Sequence, residues 1–331
     1  MPWAKSFQQK KKCLEVNLED IHVIKEKPKS IRGFCPSCGG NDCYFSKQKG
    51  VFHCFNCGIG GKLIIDGECS PIVIDEPKKD IKSIRKFYTE LVNIYHNNLS
   101  PNALKYLSDR GISKEVIDKF KIGFCSSTQY LDIYSEPIAE EAGLVYNNYV
   151  MLGGRIVFPY WHNGEVTDLR GRALVKSDTP YLGLYGSYES RGAVYMFNHD
   201  IIEKSPLIII TEGEVKALSA IQYNIPMVSI RGLSDWNDNW THELKNKHII
   251  FAFDNETKKV NGQTPAVYAI QKFAEIFPKA EVAHLYKEVD EDKADVDSVI
   301  LKRGIESFIE SLESALPIDV FLDIIVRRSV E

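Results

Sequence analysis

Two pairs of cysteines near the N-terminus constrain the fold of this chain more than any other feature. The pairs read Cys35-Pro-Ser-Cys38 and Cys54-Phe-Asn-Cys57, and fifteen residues separate them. Four thiolates at this spacing fit the tetrahedral coordination of one zinc ion, which leaves no open position for a substrate. The spacing therefore predicts a β zinc ribbon whose structural zinc is held by these four cysteines. A closed site of this kind binds a partner and does not catalyse.

Charge is distributed unevenly, although the formal net charge of the 331 residues is only -4. Residues 1–66 carry eleven Lys and Arg against six Asp and Glu, whereas residues 288–297 carry six acidic residues against Lys293 alone. This asymmetry favours a polyanion at one end and cations at the other. Of the remaining candidates for zinc, Cys43 or His53 could replace one ribbon ligand.

No stretch approaches the roughly 18 uninterrupted apolar residues that a membrane span requires. We therefore expect a cytoplasmic protein with no membrane partner. The length allows two or three domains.

Composition and periodicity divide the chain into five segments. Residues 1–66 hold the ribbon, and residues 67–82, with two prolines and alternating charge, are typical of a linker. A mixed α+β basic subdomain is expected over 83–205. A parallel α/β sheet follows over 206–303, because short apolar strands alternate there with helical segments. Residues 304–331 predict a helical tail.

Two short helices are predicted at the start of the basic subdomain. The first has Ser100 as its N-cap, Leu104 and Leu107 on one face and Gly111 as its stop. The second begins after Ser113.

A β-hairpin is predicted around Asn163-Gly164, since this dipeptide between two β-rich runs favours a type I′ turn. Counting outward from the turn places Arg155 opposite Arg172, with Arg170 on the same face. Like charges facing each other destabilise a sheet, so three arginines there predict a phosphate-binding surface. Three solvated arginines are the alternative, and a bulge at Pro159 would shift the register by one residue.

Polar residues follow the strands predicted in the α/β segment at 207–210, 227–230, 248–253 and 282–286. In a parallel sheet function lies beyond the carboxyl ends of the strands. These ends carry the acids Glu212, Asp254, Glu256, Asp295 and Asp297, together with Arg231. One such acid could be a solvated or capping carboxylate, but this many repel unless cations neutralise them. Hard oxygen ligands suit Mg²⁺ or Mn²⁺, so the acids predict metal-assisted phosphoryl or nucleotidyl transfer.

The order of ribbon, arginine hairpin and acid-rimmed sheet resembles the DNA primases of bacteria and phages, whose catalytic domain has the Toprim fold. The resemblance covers residues 31–303. The segments that carry it read ALKYLSDRGISKEVIDKFKIGF from Ala103, RIVFP from Arg155, LRGRAL from Leu169, TEGE from Thr211, FDNE from Phe253 and KADVDSVILKRG from Lys293. The last three are similar to the three acidic Toprim motifs in their usual order.

The resemblance implies roles for individual residues. Glu212 would be the acid-base or metal-assisting glutamate, and all five acids would bind Mg²⁺ or Mn²⁺, with Glu212, Asp254 and Glu256 as catalytic residues. Template or nucleoside triphosphate would be held by Arg155, Arg170, Arg172, Lys176, Lys216 and Arg231. Two departures leave the number of metals open, because Lys216 stands where an aspartate is common and Glu256 stands where an aspartate is usual.

The implied activity is the synthesis of short RNA primers on single-stranded DNA from nucleoside triphosphates. A replicative helicase partner and a bacterial or phage-infected cell are implied by the family alone. In the ribbon, aromatic and basic residues would grip the template or else form the small core: Tyr44, Phe45, Phe52, Phe55, Lys47 and Lys49.

Two alternatives remain from other classes. One is a catalytically weak single-stranded-DNA-binding replication module, and the other is a Toprim nuclease. In the tail, Ile318, Phe321, Leu322 and Ile325 fall at helical spacing, which favours packing on the chain's own domain over docking on a partner.

Overall fold

The computed structural model describes residues 14–37, 39–40, 43–47, 50–54, 60–65, 79–126, 131–177, 179–186, 192–233, 235–259, 263–288 and 291–328. The chain divides into two compact units, Met1–Pro77 and Lys78–Glu331. No helix within these described ranges is long and apolar enough to cross a membrane.

The N-terminal unit is a six-stranded sheet with strand order β1-β6-β5-β4-β3-β2. Its strands are β1 (Leu14–Asn17), β2 (Val23–Lys27), β3 (Ser30–Gly33), β4 (Cys43–Ser46), β5 (Val51–Cys54) and β6 (Gly60–Ile64), with a 3-10 turn at Leu18–Asp20. Strand β1 pairs with β6 in parallel, and the other pairs are antiparallel. The expected β ribbon is therefore part of a larger sheet.

Alternation along β4 and β5 decides which ribbon aromatics are available to a partner. Phe45 and Phe52 are paired across the two strands, stack at 5.4 Å between ring centroids and are buried. Of the two alternatives left open for these rings, the small core is the one that holds. Tyr44 points the other way and is 45% exposed. Of the remaining candidates, Lys47 forms an ion pair with Glu26.

The C-terminal unit begins with helices and a four-stranded antiparallel sheet of order β12-β11-β10-β7. Its elements are α1 (Ile81–Asn97), α2 (Pro101–Asp109), α3 (Lys114–Phe120), β7 (Gly123–Cys125), α4 (Leu131–Tyr134), α5 (Pro137–Glu141), β8 (Val145–Tyr146), β9 (Tyr149–Val150), β10 (Arg155–His162), β11 (Glu165–Ala173) and β12 (Tyr181–Gly183). Helix α1 starts inside the predicted linker, because the Asp80 side chain accepts a hydrogen bond from the Ser83 amide and caps it. Residues 67–78 of that linker lie outside the described ranges.

The two predicted helices are confirmed by their caps. The side chains of Ser100 and Ser113 accept hydrogen bonds from the amides of Ala103 and Val116. Leu107 is buried as expected, but Leu104 is exposed and does not share its face.

The predicted hairpin is also confirmed, with Asn163 and Gly164 both at positive φ in the turn. Its predicted register is wrong, because Thr167 is an extra residue between Val166, which pairs with Trp161, and Asp168, which pairs with Tyr160. The bulge thus lies on β11 rather than at Pro159.

The second half of this unit is a five-stranded sheet of order β14-β13-β15-β17-β19. Its elements, together with a small β16–β18 pair, are α6 (Ile201–Lys204), β13 (Leu207–Glu212), α7 (Glu214–Ile221), β14 (Met227–Ile230), α8 (Asp238–Leu244), β15 (His248–Phe251), β16 (Asn255–Glu256), α9 (Pro265–Ile276), β17 (Glu281–Val282), β18 (Lys293–Ala294), α10 (Val296–Arg303), α11 (Ile305–Glu313), β19 (Leu316–Pro317) and α12 (Ile318–Arg328). Strands β14, β13, β15 and β17 are parallel, as predicted. The fourth strand is shorter than expected and ends at Val282.

Helices cover both faces of this sheet. On β13, Ile209 packs in a core with α7 and α10, while Ile208 and Ile210 pack in a second core with α8 and α9. A sheet buried on both faces explains the continuous apolar run LIII.

The C-terminal segment is more than a helical tail, since β19 extends the sheet by pairing antiparallel with β17. Ile318 is buried, and Phe321 and Leu322 pack against the same core as α9. The prediction that this segment packs on its own domain is confirmed.

Candidate active site

A cavity of about 290 Å³ lies at the carboxyl ends of the parallel strands, and charged groups of both signs line it. Its lining residues are Arg110, Arg170, Arg172, Tyr181, Glu212, Gly213, Val215, Lys216, Arg231, Asp254, Lys293, Asp295 and Asp297. Four of the five predicted acids and four of the six predicted basic residues are thus brought together.

The fold places the acids through neighbouring strand ends. Glu212 is the last residue of β13, and Asp254 follows the end of the adjacent parallel strand β15. Asp295 and Asp297 lie at the start of α10, which follows β18. Because parallel strands end at the same edge, residues far apart in sequence meet there.

The pKa values of these carboxyl groups shift in different directions, because the groups differ in burial and in their charged neighbours. Burial raises the pKa of Glu212, although Lys216 opposes the shift. Burial raises the pKa of Asp297 to about 6, and the neighbouring Asp295 adds to this. For Asp295, burial also acts to raise the pKa, but Lys216 and the hydrogen bond from Ser298 outweigh it and the pKa is lowered.

Asp295 also caps the N-terminus of α10. Its Oδ1 accepts the Ser298 amide at 3.1 Å while the Ser298 hydroxyl accepts the Asp295 amide at 2.9 Å, which forms a capping box at the start of α10.

Three basic side chains form ion pairs with the acids of the cavity. Of these, only Lys216 had a role predicted from the sequence. Arg110, just after α2, forms an ion pair with the buried carboxylate of Asp297. Lys293 Nζ lies 2.5 Å from Asp254 Oδ2, and Lys216 Nζ lies 2.5 Å from Asp254 Oδ1. Arg110 belongs to the quoted motif DRG, but only its long-range contact reveals its role.

Arg170 and Arg172 project from one face of β11 over the Tyr181 ring. Their guanidinium carbons lie 4.9 and 4.8 Å from its centroid. Arg172 Nε donates to the Tyr106 hydroxyl at 3.1 Å, and Arg170 Nη1 donates to the buried Glu214 at 3.2 Å. Aromatic and carboxylate contacts therefore orient two cations into the cavity.

The prediction that Arg155 joins this face is wrong. Arg155 pairs with Ala173, so its side chain leaves the sheet on the face opposite Arg170 and Arg172. It is buried, and its Nη1 donates to the carbonyls of Thr179 and Pro180 at 3.0 and 3.1 Å. Arg155 holds the segment before β12 in place.

The other predicted basic residues differ in accessibility. Arg231 lines the cavity but is 7% exposed, and its Nη2 donates to Asp168 at 2.9 Å and to the Ala193 carbonyl at 3.2 Å. Lys176 is exposed and does not line the cavity. Neither residue lies over the Tyr181 ring at the edge of the cavity as Arg170 and Arg172 do.

Glu256 is displaced from the other acids. It lies in β16, which pairs with β18, and lines an adjoining groove of about 470 Å³. Glu212, Asp254 and Lys293 line both spaces, so Glu256 is a neighbour of the cavity rather than part of it.

The donor set fits a divalent cation only in part. Carboxylate oxygens of Glu212 and Asp295 are hard ligands of the kind that Mg²⁺ or Mn²⁺ prefers. Both oxygens of Asp254, in contrast, already contact ammonium groups.

In the N-terminal unit, three buried cysteines form a candidate metal centre. Their sulfur atoms all lie within 4.8 Å of one another, and they belong to Cys35, Cys43 and Cys54. Burial raises the pKa of Cys43 to about 12, and the two neighbouring cysteines add to the shift. The predicted ligands Cys38 and Cys57 lie outside the described residues. The cluster contains the other two predicted ligands, Cys35 and Cys54, together with Cys43, which the sequence offered as a replacement for one ligand.

Family models match both halves of the C-terminal unit. The model of one family, described as the DNA primase catalytic core, N-terminal domain, matches residues 88–185. A domain of unknown function, DUF3854, matches residues 197–307.

Curated DNA primases are similar in sequence. That of Geobacillus stearothermophilus is 28% identical over 255 residues, covering 61% of this chain and 42% of the relative. That of Enterococcus faecalis is 25% identical over 349 residues, covering 86% of this chain and 54% of the relative. The chain thus spans about half the length of these relatives.

Solved structures show the same fold. The zinc-binding and RNA polymerase domains of the Aquifex aeolicus primase match with a TM-score of 0.59 at 19% identity, covering 90% of this chain and 81% of that one. A DnaG primase catalytic domain bound to single-stranded DNA matches with a TM-score of 0.59 at 22% identity, covering 73% and 81%. Residues 88–185 thus match the family model of the primase catalytic core's N-terminal domain, and the chain is similar to curated DNA primases in sequence and to solved DnaG primase domains in fold.

Proposed function

We propose that this chain is a DNA primase that synthesises short RNA primers on single-stranded DNA by metal-assisted nucleotidyl transfer. One observation carries the proposal: a single cavity joins carboxylates at parallel strand ends to two arginines from the neighbouring antiparallel sheet. Carboxylates suit divalent cations and proton transfer, while arginines suit phosphate oxygens. The DNA primase relatives and the DNA-bound structural neighbour support the same reading.

In this proposal the α/β sheet is a Toprim-type domain and its acids hold Mg²⁺ or Mn²⁺. Glu212, Asp254, Asp295 and Asp297 are the candidate ligands in the cavity, and Glu256 in the adjoining groove is a fifth candidate. A bound divalent cation would neutralise charge that develops on the transferring phosphoryl group.

The reaction joins a primer 3′ oxygen to the α-phosphorus of an incoming nucleoside triphosphate, and the bond to the leaving pyrophosphate breaks. In the role of general base, Glu212 would take the proton of the 3′ hydroxyl, since burial raises the pKa of its carboxyl group. Arg170 and Arg172, oriented by Tyr181 and Tyr106, would bind the triphosphate or the template backbone. Lys216 would add a third cation beside them.

The N-terminal unit is proposed to hold structural zinc and to contact template. The guanidinium carbon of Arg32 lies 5.9 Å from the ring centroid of the exposed Tyr44. This arrangement suits stacking of a base on the ring and contact of the arginine with a phosphate. The zinc ligands are Cys35 and Cys54 with Cys38 and Cys57, and Cys43 is a competitor for one position. The replicative helicase partner stays a prediction.

The proposal is tested by incubating the zinc-loaded chain with mixed-sequence single-stranded DNA, labelled nucleoside triphosphates and Mg²⁺ or Mn²⁺. Short RNA products are expected, and Asp254→Asn is expected to reduce them at least a hundredfold without loss of zinc. Asp292→Asn is the matched control, since Asp292 is exposed and outside the cavity. Equal synthesis by wild type and Asp254→Asn would refute the assignment of the site.

A second candidate is a single-stranded-DNA-binding module with weak catalysis. The two lysines on Asp254 favour it, because they compete with metal for the same oxygens. Binding of single-stranded DNA without nucleotide incorporation under either metal would support this candidate. Cleavage of DNA under the same conditions would instead support a nuclease.

A further inference from the structure

Asp254 is held between two ammonium groups that come from different elements. Lys216, in the first turn of α7, contacts Oδ1, and Lys293, in β18, contacts Oδ2, each at 2.5 Å. The Asp254 and Lys216 side chains are only 11% and 15% exposed. The Lys216–Asp254 pair is therefore screened less than a surface pair, whereas Lys293 is 43% exposed and its pair with Asp254 is only partly shielded.

The other carboxylates of the cavity are not equally neutralised. Asp297 is paired with Arg110, and Asp295 Oδ2 lies 3.8 Å from Lys293 while its Oδ1 caps α10. Among the described residues the Glu212 side chain has no hydrogen bond or ion pair. Burial raises its pKa, and the charges of Lys216, Lys293 and Arg170 act on it only as more distant neighbours that oppose this shift. Glu212, and Asp295 through the Oδ2 that is 3.8 Å from Lys293, are thus the carboxylates with the most capacity left for a cation.

The Lys216 ammonium and a second divalent cation cannot both contact Asp254 Oδ1. An ion bound at Asp254 Oδ1 would occupy the position of the ammonium and would repel it, since both are cationic and the surroundings are largely buried. The lysine is covalently fixed at this position, whereas an ion must be recruited and dehydrated.

We propose that the Lys216 ammonium takes the place of a second divalent cation at Asp254, so that the site holds one divalent cation, at Glu212 and Asp295. This inference rests on the proposed function in assigning the cavity to nucleotidyl transfer. Lys216 then supplies a permanent positive charge beside the triphosphate. The specific consequence is a metal stoichiometry set by one residue of α7.

Metal binding is measured on the full zinc-loaded chain by Mn²⁺ electron paramagnetic resonance and equilibrium dialysis, with neither nucleotide nor DNA present. Wild type is expected to bind one Mn²⁺ that Glu212→Gln abolishes. Lys216→Asp is expected to bind two, and Lys216→Met, which keeps side-chain length without charge, is expected to bind Mn²⁺ at least tenfold more tightly than wild type. Lys86→Asp is the matched control, because it changes net charge equally at an exposed position on α1.

Two Mn²⁺ ions in wild type that are both lost in Asp254→Asn would overturn the inference. So would the absence of any Mn²⁺ sensitive to Glu212→Gln, or a stoichiometry and affinity that Lys216→Asp and Lys216→Met both leave unchanged while circular dichroism shows them folded. Failure of the proposed function is seen separately, as the absence of RNA products from a chain that binds Mn²⁺ as described.

Discussion

Replacing Glu214 with alanine is expected to destabilise the C-terminal unit and to weaken the cavity at the same time. Glu214 is fully buried at the start of α7, and its Oε1 accepts hydrogen bonds from the Tyr160 hydroxyl at 2.5 Å and from Arg170 Nη1 at 3.2 Å. The alanine variant would leave Arg170 without its buried carboxylate and Tyr160 without its acceptor.

The magnitude follows from the kind of interaction removed. Deleting one partner of a buried ion pair typically costs about 3–5 kcal/mol in the free energy of unfolding. Because Arg170 retains its contact with the Tyr181 ring at 4.9 Å, the lower end of about 3 kcal/mol is expected. Glu214→Gln keeps an acceptor for Tyr160 and loses only the charge, so about 1–2 kcal/mol is expected.

Equilibrium unfolding in urea, followed by tryptophan fluorescence, measures this difference. With a slope of about 3 kcal/mol per molar, the alanine variant should unfold at a midpoint about 1 M lower than wild type. Glu275→Ala, at an exposed position of α9, is the control and should change stability by less than about 0.5 kcal/mol. If Glu214→Ala destabilises no more than this control, the argument that Glu214 anchors Arg170 fails.

Three other predictions concern metal, pH and packing. Cys54→Ser should release zinc, because Cys54 belongs to both the predicted ligand set and the observed thiol cluster; full zinc content by absorption spectrometry would contradict this. Burial lowers the pKa of His199 to about 4, so the unfolded state takes up a proton first as pH falls, and unfolding stability should decrease by at most about 3 kcal/mol from pH 6.5 to pH 4. Thermal melting of wild type against His199→Gln measures this, and equal pH slopes would contradict it. Deleting residues after Pro317 removes the buried Ile318 and should cost about 2 kcal/mol or more, so an unchanged melting temperature would contradict the packing of α12.

Local signals in the sequence predicted the elements that local physics decides. Ser100 and Ser113 cap helices because a hydroxyl there satisfies an amide within the same turn, and Asn163-Gly164 supplies two positive φ angles next to each other. The parallel strands were predictable from apolar runs alone, since both faces of the sheet are buried.

Register and pairing were not predictable in the same way. Thr167 forms a bulge in which its hydroxyl donates to the Tyr160 carbonyl at 3.1 Å, and nothing in the alternation of β11 marks this extra residue. The single shift moved Arg155 to the opposite face of the sheet. A pattern count therefore placed the arginines on the right strands but put one on the wrong side.

The acids of the site were predictable as a group because strand ends in a parallel sheet converge. Their cationic partners were not, because Arg110 lies 187 residues from Asp297 and Lys216 lies 38 from Asp254. Glu214 stood inside the quoted TEGE motif, yet only its burial shows that it supports Arg170.

Template-directed incorporation of nucleotides distinguishes a primase from a module that only binds single-stranded DNA. The zinc-loaded chain is given single-stranded DNA templates of defined sequence and one labelled nucleoside triphosphate at a time. The account predicts RNA products only when the template carries the complementary base, and their loss in Asp254→Asn but not in Asp292→Asn. Incorporation that is independent of template sequence, or that survives Asp254→Asn, would contradict it.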